Sequence, residues 1–211
     1  MTINIEDLLN SIKESLDRIE YIRADEIPDI DLYMDQVTTF MESNLKNTTR
    51  NPGDDKILTK TMINNYAKND LIPPPFKKKY SKDHVLLLIF IYYYKGILSI
   101  NDIQELLEPI TKRYFKNGEA YDLSRVYEEV FGLEREQKDV LKADVEEKFR
   151  IAQDTFEDAP GEEREFLKIF SFICMLSFDV YVKKLLIEKM IDGITDKRSE
   201  AGRKKGKGEE E

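Results

Sequence analysis

"LTKTMINNYAKNDLIPPPFKKKYSKDHV", Leu58 to Val85, is the stretch on which the reading of this chain turns. Thr59 suits the N-cap of a short helix, because its hydroxyl can accept a hydrogen bond from an amide of the first turn. Met62, Ile63, Tyr66 and Leu71 then recur on one side, while Lys60, Thr61, Asn64, Asn65 and Lys68 lie mostly elsewhere. Pro73 to Pro75 end the helix, since each lacks an amide hydrogen and clashes with the preceding turn. Lys77, Lys78, Lys79 and Tyr80 follow this stiff turn. Ser81 with Asp83 and His84 begins a second helix, whose run "VLLLIFIYYY" demands burial on most sides.

Outward from this stretch the chain reads as mainly all-α. Residues 4–22 form an amphipathic helix with Asn4 as cap and Ile5, Leu8, Leu9, Ile12, Leu16 and Ile19 at helical spacing. A helix is expected from about Tyr33 to Asn44, followed by a polar loop to about Lys56. Gly96 is the expected stop of the buried helix. A short helix capped at Ser99 or Asn101 ends at Pro109. Tyr121 to Phe156 carries one long helix, or two broken near Gly132. Pro160 opens a final helix from about Glu162 to Ile191, apolar nearly all round in its middle. The tail "TDKRSEAGRKKGKGEEE" has no apolar residue beyond one alanine and is expected to be unordered. These divisions give an N-terminal helix (1–30), a central unit (31–112), a C-terminal helical unit (113–193) and a charged tail (194–211).

Of the 211 residues 41% are hydrophobic, enough for a packed core, and Gly and Pro are few. The single cysteine, Cys174, excludes an intramolecular disulfide and fits a cytoplasmic location. It is expected to be a small buried hydrophobe. No secretory leader is expected, because Glu6 and Asp7 interrupt the start. The longest uncharged apolar run, Ile169 to Phe178, is shorter than the ~18 residues of a membrane span. A net charge of −9 argues against indiscriminate coating of nucleic acid. Yet Lys46 to Lys95 holds ten basic residues against four acidic ones, so one region of an acidic chain is cationic.

The order of motifs resembles the DNA-binding unit of MerR-type regulators. That unit runs T-L-R-Y-Y-x-x-x-G-L-L-x-P, a wing ending in R-x-Y, S-x-x-D-L, an apolar helix, and G-x-S-L-x-E-I-x-x-L-L. This chain has "TMINNYAKNDLIPP", "KKKYSKDHV" and "LLLIFIYYYKGILSINDIQELL" in that order, with Leu32 to Phe40 placed against the unit's first helix. The likeness is nearest to a bacterial family with a shortened MerR-like domain, known mainly as a domain of unknown function. The resemblance implies a winged helix-turn-helix with a short β-wing in residues 31–112. It implies a homodimer on double-stranded DNA, with dimerisation and effector sensing in the C-terminal helices. Repression is the expected mode, and any small-molecule effector is unidentified. Asn64 stands where the pattern has arginine, Asn65 where it has the first tyrosine, and Asp70 where it has the helix-ending glycine.

The residues support the same site. A helix entering the major groove needs short polar side chains near its N-terminus, and asparagine pairs with adenine through two hydrogen bonds. Thr59, Lys60, Thr61, Asn64, Asn65 and Lys68 are the expected helix contacts. Lys77, Lys78, Lys79 and Tyr80 are the expected wing contacts, with the lysines supplying affinity and salt dependence rather than sequence choice. Taken singly, a lysine triplet or an asparagine pair is ordinarily solvated surface; the ordered pattern raises the DNA reading above that. The alternative is a protein-interaction module that keeps the winged fold without reading DNA. Acids of the C-terminal half covering Lys77 to Lys79 would favour it. His84 has no cysteine or second histidine as partner, so no metal site is expected. No phosphate loop, dinucleotide fingerprint or nucleophile elbow is present, so neither a cofactor nor an enzyme activity is expected.

Overall fold

The run Val85–Ile91 contains no polar residue, so a helix built from it has no face to offer water. In the computed structural model, which describes residues 5–17, 21–51, 54–118 and 120–206, that helix lies at the centre. The elements in chain order are α1 (Ile5–Asp17), a 3-10 turn (Ala24–Glu26), β1 (Leu32–Tyr33), α2 (Met34–Leu45), a second 3-10 turn (Lys46–Thr48), α3 (Lys60–Lys68), β2 (Lys79–Tyr80), α4 (Lys82–Tyr94), α5 (Ile100–Tyr114), α6 (Leu123–Gln153) and α7 (Gly161–Gly206). The chain is mostly helical. Its sheet pairs β1 antiparallel with β2, Leu32 opposite Tyr80 and Tyr33 opposite Lys79.

Every residue from Val85 to Ile91 is buried. Around α4 pack Val37, Met41 and Leu45 of α2, Ile63 and Tyr66 of α3, Ile103 and Leu107 of α5, and Leu123, Tyr127 and Phe131 of α6. The Tyr127 hydroxyl donates to the Ile22 carbonyl at 2.5 Å, tying the segment before β1 to α6. A smaller cluster joins α6 and α7 through Phe149, Ala152 and Phe172, with Leu9 and Ile12 of α1 against it. Lys13 of α1 pairs with Glu146 of α6 at 2.5 Å, and Asp17 with Lys142.

Several expectations need correction. α5 runs through Pro109 to Tyr114 instead of stopping there. Pro109 donates no N–H to the turn before it, but Ile110 and Tyr114 beyond it pack on the same core as Ile103 and Leu107, which offsets the loss. Of the two alternatives for Tyr121 to Phe156, the single long helix is the one observed: α6 is unbroken at Gly132. α7 continues to Gly206, past the expected end near Ile191, so the tail is helical as far as that residue. Lys, Arg, Glu and Ala are good helix formers, and extending an existing helix avoids the cost of nucleation. The last five residues, 207–211, and the expected Asn4 cap and Ile19 lie outside the described residues. Cys174 is exposed, not buried. It sits on the side of α7 opposite Phe172, and only the Phe172 side is covered.

α3 ends in a Schellman motif. The Leu71 N–H reaches the Tyr66 carbonyl at 2.9 Å, and Asp70 takes the left-handed conformation between them, φ 56°. The motif turns Leu71 and Ile72 into the core. An aspartate holds this backbone at a cost that glycine avoids. Asp70→Gly is therefore expected to raise the unfolding free energy by about 1 kcal/mol, read from the urea midpoint at constant slope.

Candidate nucleic-acid interface

α3 is only nine residues long, so its direction depends on its ends and its buried side. The Thr59 hydroxyl accepts from the Met62 N–H at 3.2 Å, as its placement at the N-cap requires. Ile63 and Tyr66 are buried on one side. Thr61, Asn64, Asn65 and Lys68 follow the i, i+3, i+4, i+7 rule, which makes them a single stripe, and all four are exposed. The polar stripe thus points outward because the opposite stripe is fixed in the core. Lys60 is also exposed, but its ammonium pairs with the Asp35 carboxylate of α2. Between α2 and the start of α3 lies an open groove lined by Thr38, Glu42, Lys46, Asp55, Lys56 and Lys60, mixed in charge.

The second part is a hairpin. Phe76 to Lys79 close a four-residue turn, with the Lys79 N–H donating to the Phe76 carbonyl at 2.9 Å. Both central residues, Lys77 and Lys78, have positive φ, 49° and 63°. Two successive left-handed residues mark a type I′ turn, whose favoured pair is Asn-Gly. Lysine has no side-chain group that eases this backbone, so each of the two stores strain on the order of 1 kcal/mol. The tip is exposed, with the Lys77 ammonium 5.2 Å from the exposed Phe76 ring and the Lys79 ammonium 5.1 Å from the Tyr33 ring. Among the described residues, no carboxylate forms an ion pair with Lys68, Lys77, Lys78 or Lys79.

Tyr80 is a correction. It was expected among the DNA contacts, but it is 2% exposed and packs edge-on to His84, 5.4 Å between rings. Strand alternation explains this: Lys79 and Tyr80 point to opposite faces of the small sheet, so only one of them can face solvent.

His84 fastens the hairpin to α4. The Ser81 N–H and hydroxyl both lie 2.9 Å from His84 Nδ1, so the ring proton belongs on Nε2. Nε2 then donates to the Pro73 carbonyl at 3.2 Å, where the hairpin begins. Burial, with some help from the Lys116 charge, lowers the imidazole to about 4. Sequence reading placed this histidine at a helix start but missed the strut. It also missed Tyr33 beneath Lys79, because the partner strand of β2 lies far back in the chain.

Among the described residues no group of three or more His, Cys, Asp or Glu is arranged to hold a metal ion, and no helix is long and apolar enough to cross a membrane.

His84 gives a pH dependence with a definite sign. Its folded-state value lies below the unfolded value near 6.5, so its contribution is complete above that pH and is lost as the pH falls from there toward 4. Between pH 7 and pH 5 the loss is about 2 kcal/mol. His84→Gln preserves an acceptor at the same capping position and does not titrate. It is expected to flatten that slope in urea melts at the two pH values; an unchanged slope would remove His84 as its source.

A family model described as "Domain of unknown function (DUF1836)" matches residues 22–130, and the chain belongs to that family. The match takes in β1 through the first turns of α6 and leaves α1 and α7 outside it. No curated protein and no solved structure matches the chain.

Proposed function

We propose that this member of the family is a sequence-specific DNA-binding transcription regulator of MerR-like winged helix-turn-helix type, a repressor acting as a dimer. The observation that carries the reading is the hairpin tip. Two lysines occupy a turn whose backbone favours Asn-Gly, and their charges are unpaired and exposed. Charge at that point is kept at the expense of stability, which is how functional strain shows itself. The order of polar-striped helix, hairpin, buried helix and short helix is also that of the resemblance. α3 would enter the major groove with Thr61, Asn64, Asn65 and Lys68, its N-terminal amides and the Thr59 cap lying toward a phosphate. Lys77, Lys78 and Lys79 would follow the backbone beside it. α6 and α7 would carry dimerisation and any response to an effector.

Two features favour the alternative, an interaction module that no longer reads DNA. Lys60 is engaged by Asp35, and Asn64 replaces the arginine of the pattern. An exposed pair of this kind is worth under about 1 kcal/mol, so a phosphate can displace it. It weakens the site without closing it.

The test separates stability from binding. Lys77→Asn with Lys78→Gly is expected to stabilise the fold by about 1 kcal/mol in urea, because both residues suit the turn. In fluorescence-anisotropy titrations the same variant should bind duplex DNA more weakly, with the salt slope reduced by about 1 for each lysine removed. Binding as tight as wild type, or no wild-type binding at low salt, would favour the interaction-module reading.

Asn64→Ala and Asn65→Ala should act differently. Each should lower discrimination at one base pair by roughly 1–3 kcal/mol while leaving the salt slope unchanged, measured against a panel of single-base variants of a bound duplex. Uniform loss across the panel would place these side chains outside the groove.

A further inference from the structure

The middle of α7 is apolar around nearly its whole circumference, and a helix of that kind is stable only when covered on most sides. One chain covers part of it. Phe172 faces α6, and Ile191 near the C-terminal end joins the core around α4, where the Thr195 hydroxyl donates to Glu105 at 2.6 Å. The opposite side, over the N-terminal half, is bare. Phe166, Phe170, Ile173, Val180 and Tyr181 fall within about 100° of the helix circumference at 100° per residue. They are between 51% and 66% exposed.

We infer that this stripe is the homodimer interface, in which α7 of a second copy lies antiparallel across it. The inference rests on the dimeric half of the reading above and does not require DNA contact. Area supports the choice of occupant. At roughly 200 Å² for each aromatic side chain, the three rings alone leave about 360 Å² uncovered. Ile173, Val180 and the neighbouring Cys174 extend the patch past the few hundred Å² a monomer ordinarily exposes. The three rings alone supply a little under half of the ~800 Å² per partner of a stable interface. A contact between identical copies must be self-complementary, and the stripe meets that condition when antiparallel. Its midpoint falls between Ile173 and Cys174, so Phe166 meets Tyr181 of the other copy. Glu163 at one end then meets Lys184 at the other, and the two helix dipoles oppose. A parallel pairing would instead bring Glu163 to Glu163 and Lys184 to Lys184.

The experiment uses the full chain. Light scattering during size exclusion at micromolar concentration should give twice the 24.8 kDa chain mass. Ile173 is exposed in the single chain, so Ile173→Glu leaves the fold intact, checked by far-UV circular dichroism, and should yield the single-chain mass. A short bismaleimide should link two chains through Cys174, the chain's one thiol, because the two-fold axis passes beside it. A monomeric wild type, including one that sediments with anionic phospholipid vesicles, would overturn the inference. So would an Ile173→Glu variant that stays dimeric, or a dimer that Cys174 does not cross-link. Monomeric Ile173→Glu that retains weak, salt-dependent DNA binding would support the interface and the DNA reading together. A wild-type dimer without any DNA binding would support the interface and defeat the DNA reading.

Discussion

Burial of α4 is the constraint from which the rest follows. Seven consecutive apolar side chains, Val85 to Ile91, are withdrawn from water on every side. At roughly 1.5–3 kcal/mol for each large side chain fully buried, no other element of comparable length contributes as much. A helix with no solvent face needs neighbours all round, so α2, α3, α5 and α6 are gathered on it. Which side of α3 faces inward is settled by this packing: once Ile63 and Tyr66 are committed to the core that α4 shares, the stripe from Thr61 to Lys68 has only the outside left.

The same helix positions the hairpin through a different kind of contact. Ser81, His84 and the Pro73 carbonyl form a short hydrogen-bonded chain across the root of the hairpin, in a site dry enough to keep the imidazole neutral. Tyr80 fills the space beneath. The strained tip, Lys77 and Lys78, therefore extends from a rigid base rather than from a loose loop. Polar stripe and cationic tip are thus two exposed features fixed to one core, and neither fixes the other.

Much of this was legible in the sequence where the deciding physics is local. The Thr59 cap, the inward side of α3 and the limits of α2 follow from capping and periodicity, and they stand as expected. The buried character of "VLLLIFI" follows from composition alone. What escaped was decided across distance. Tyr80 looked like a wing contact because the pairing of β2 with β1, which sends it inward, links segments on either side of α2 and α3. Cys174 looked buried because an all-apolar helix announces a need for cover without saying which side one chain supplies. Pro109 looked like a stop because the packing of Ile110 and Tyr114 beyond it is tertiary. The positive φ values of Lys77 and Lys78 carry no sequence signal at all, since lysine is not a residue that the turn favours.

The most direct measurement is selection of bound fragments from random genomic DNA by the full-length protein, followed by sequencing. The account predicts enrichment of a short motif in inverted repeat, since a two-fold dimer places two α3 helices on two half-sites. It further predicts that the motif changes with Asn64→Ala but not with Lys77→Asn. Recovery of fragments without a shared motif at any salt concentration, or no recovery at all, would contradict it.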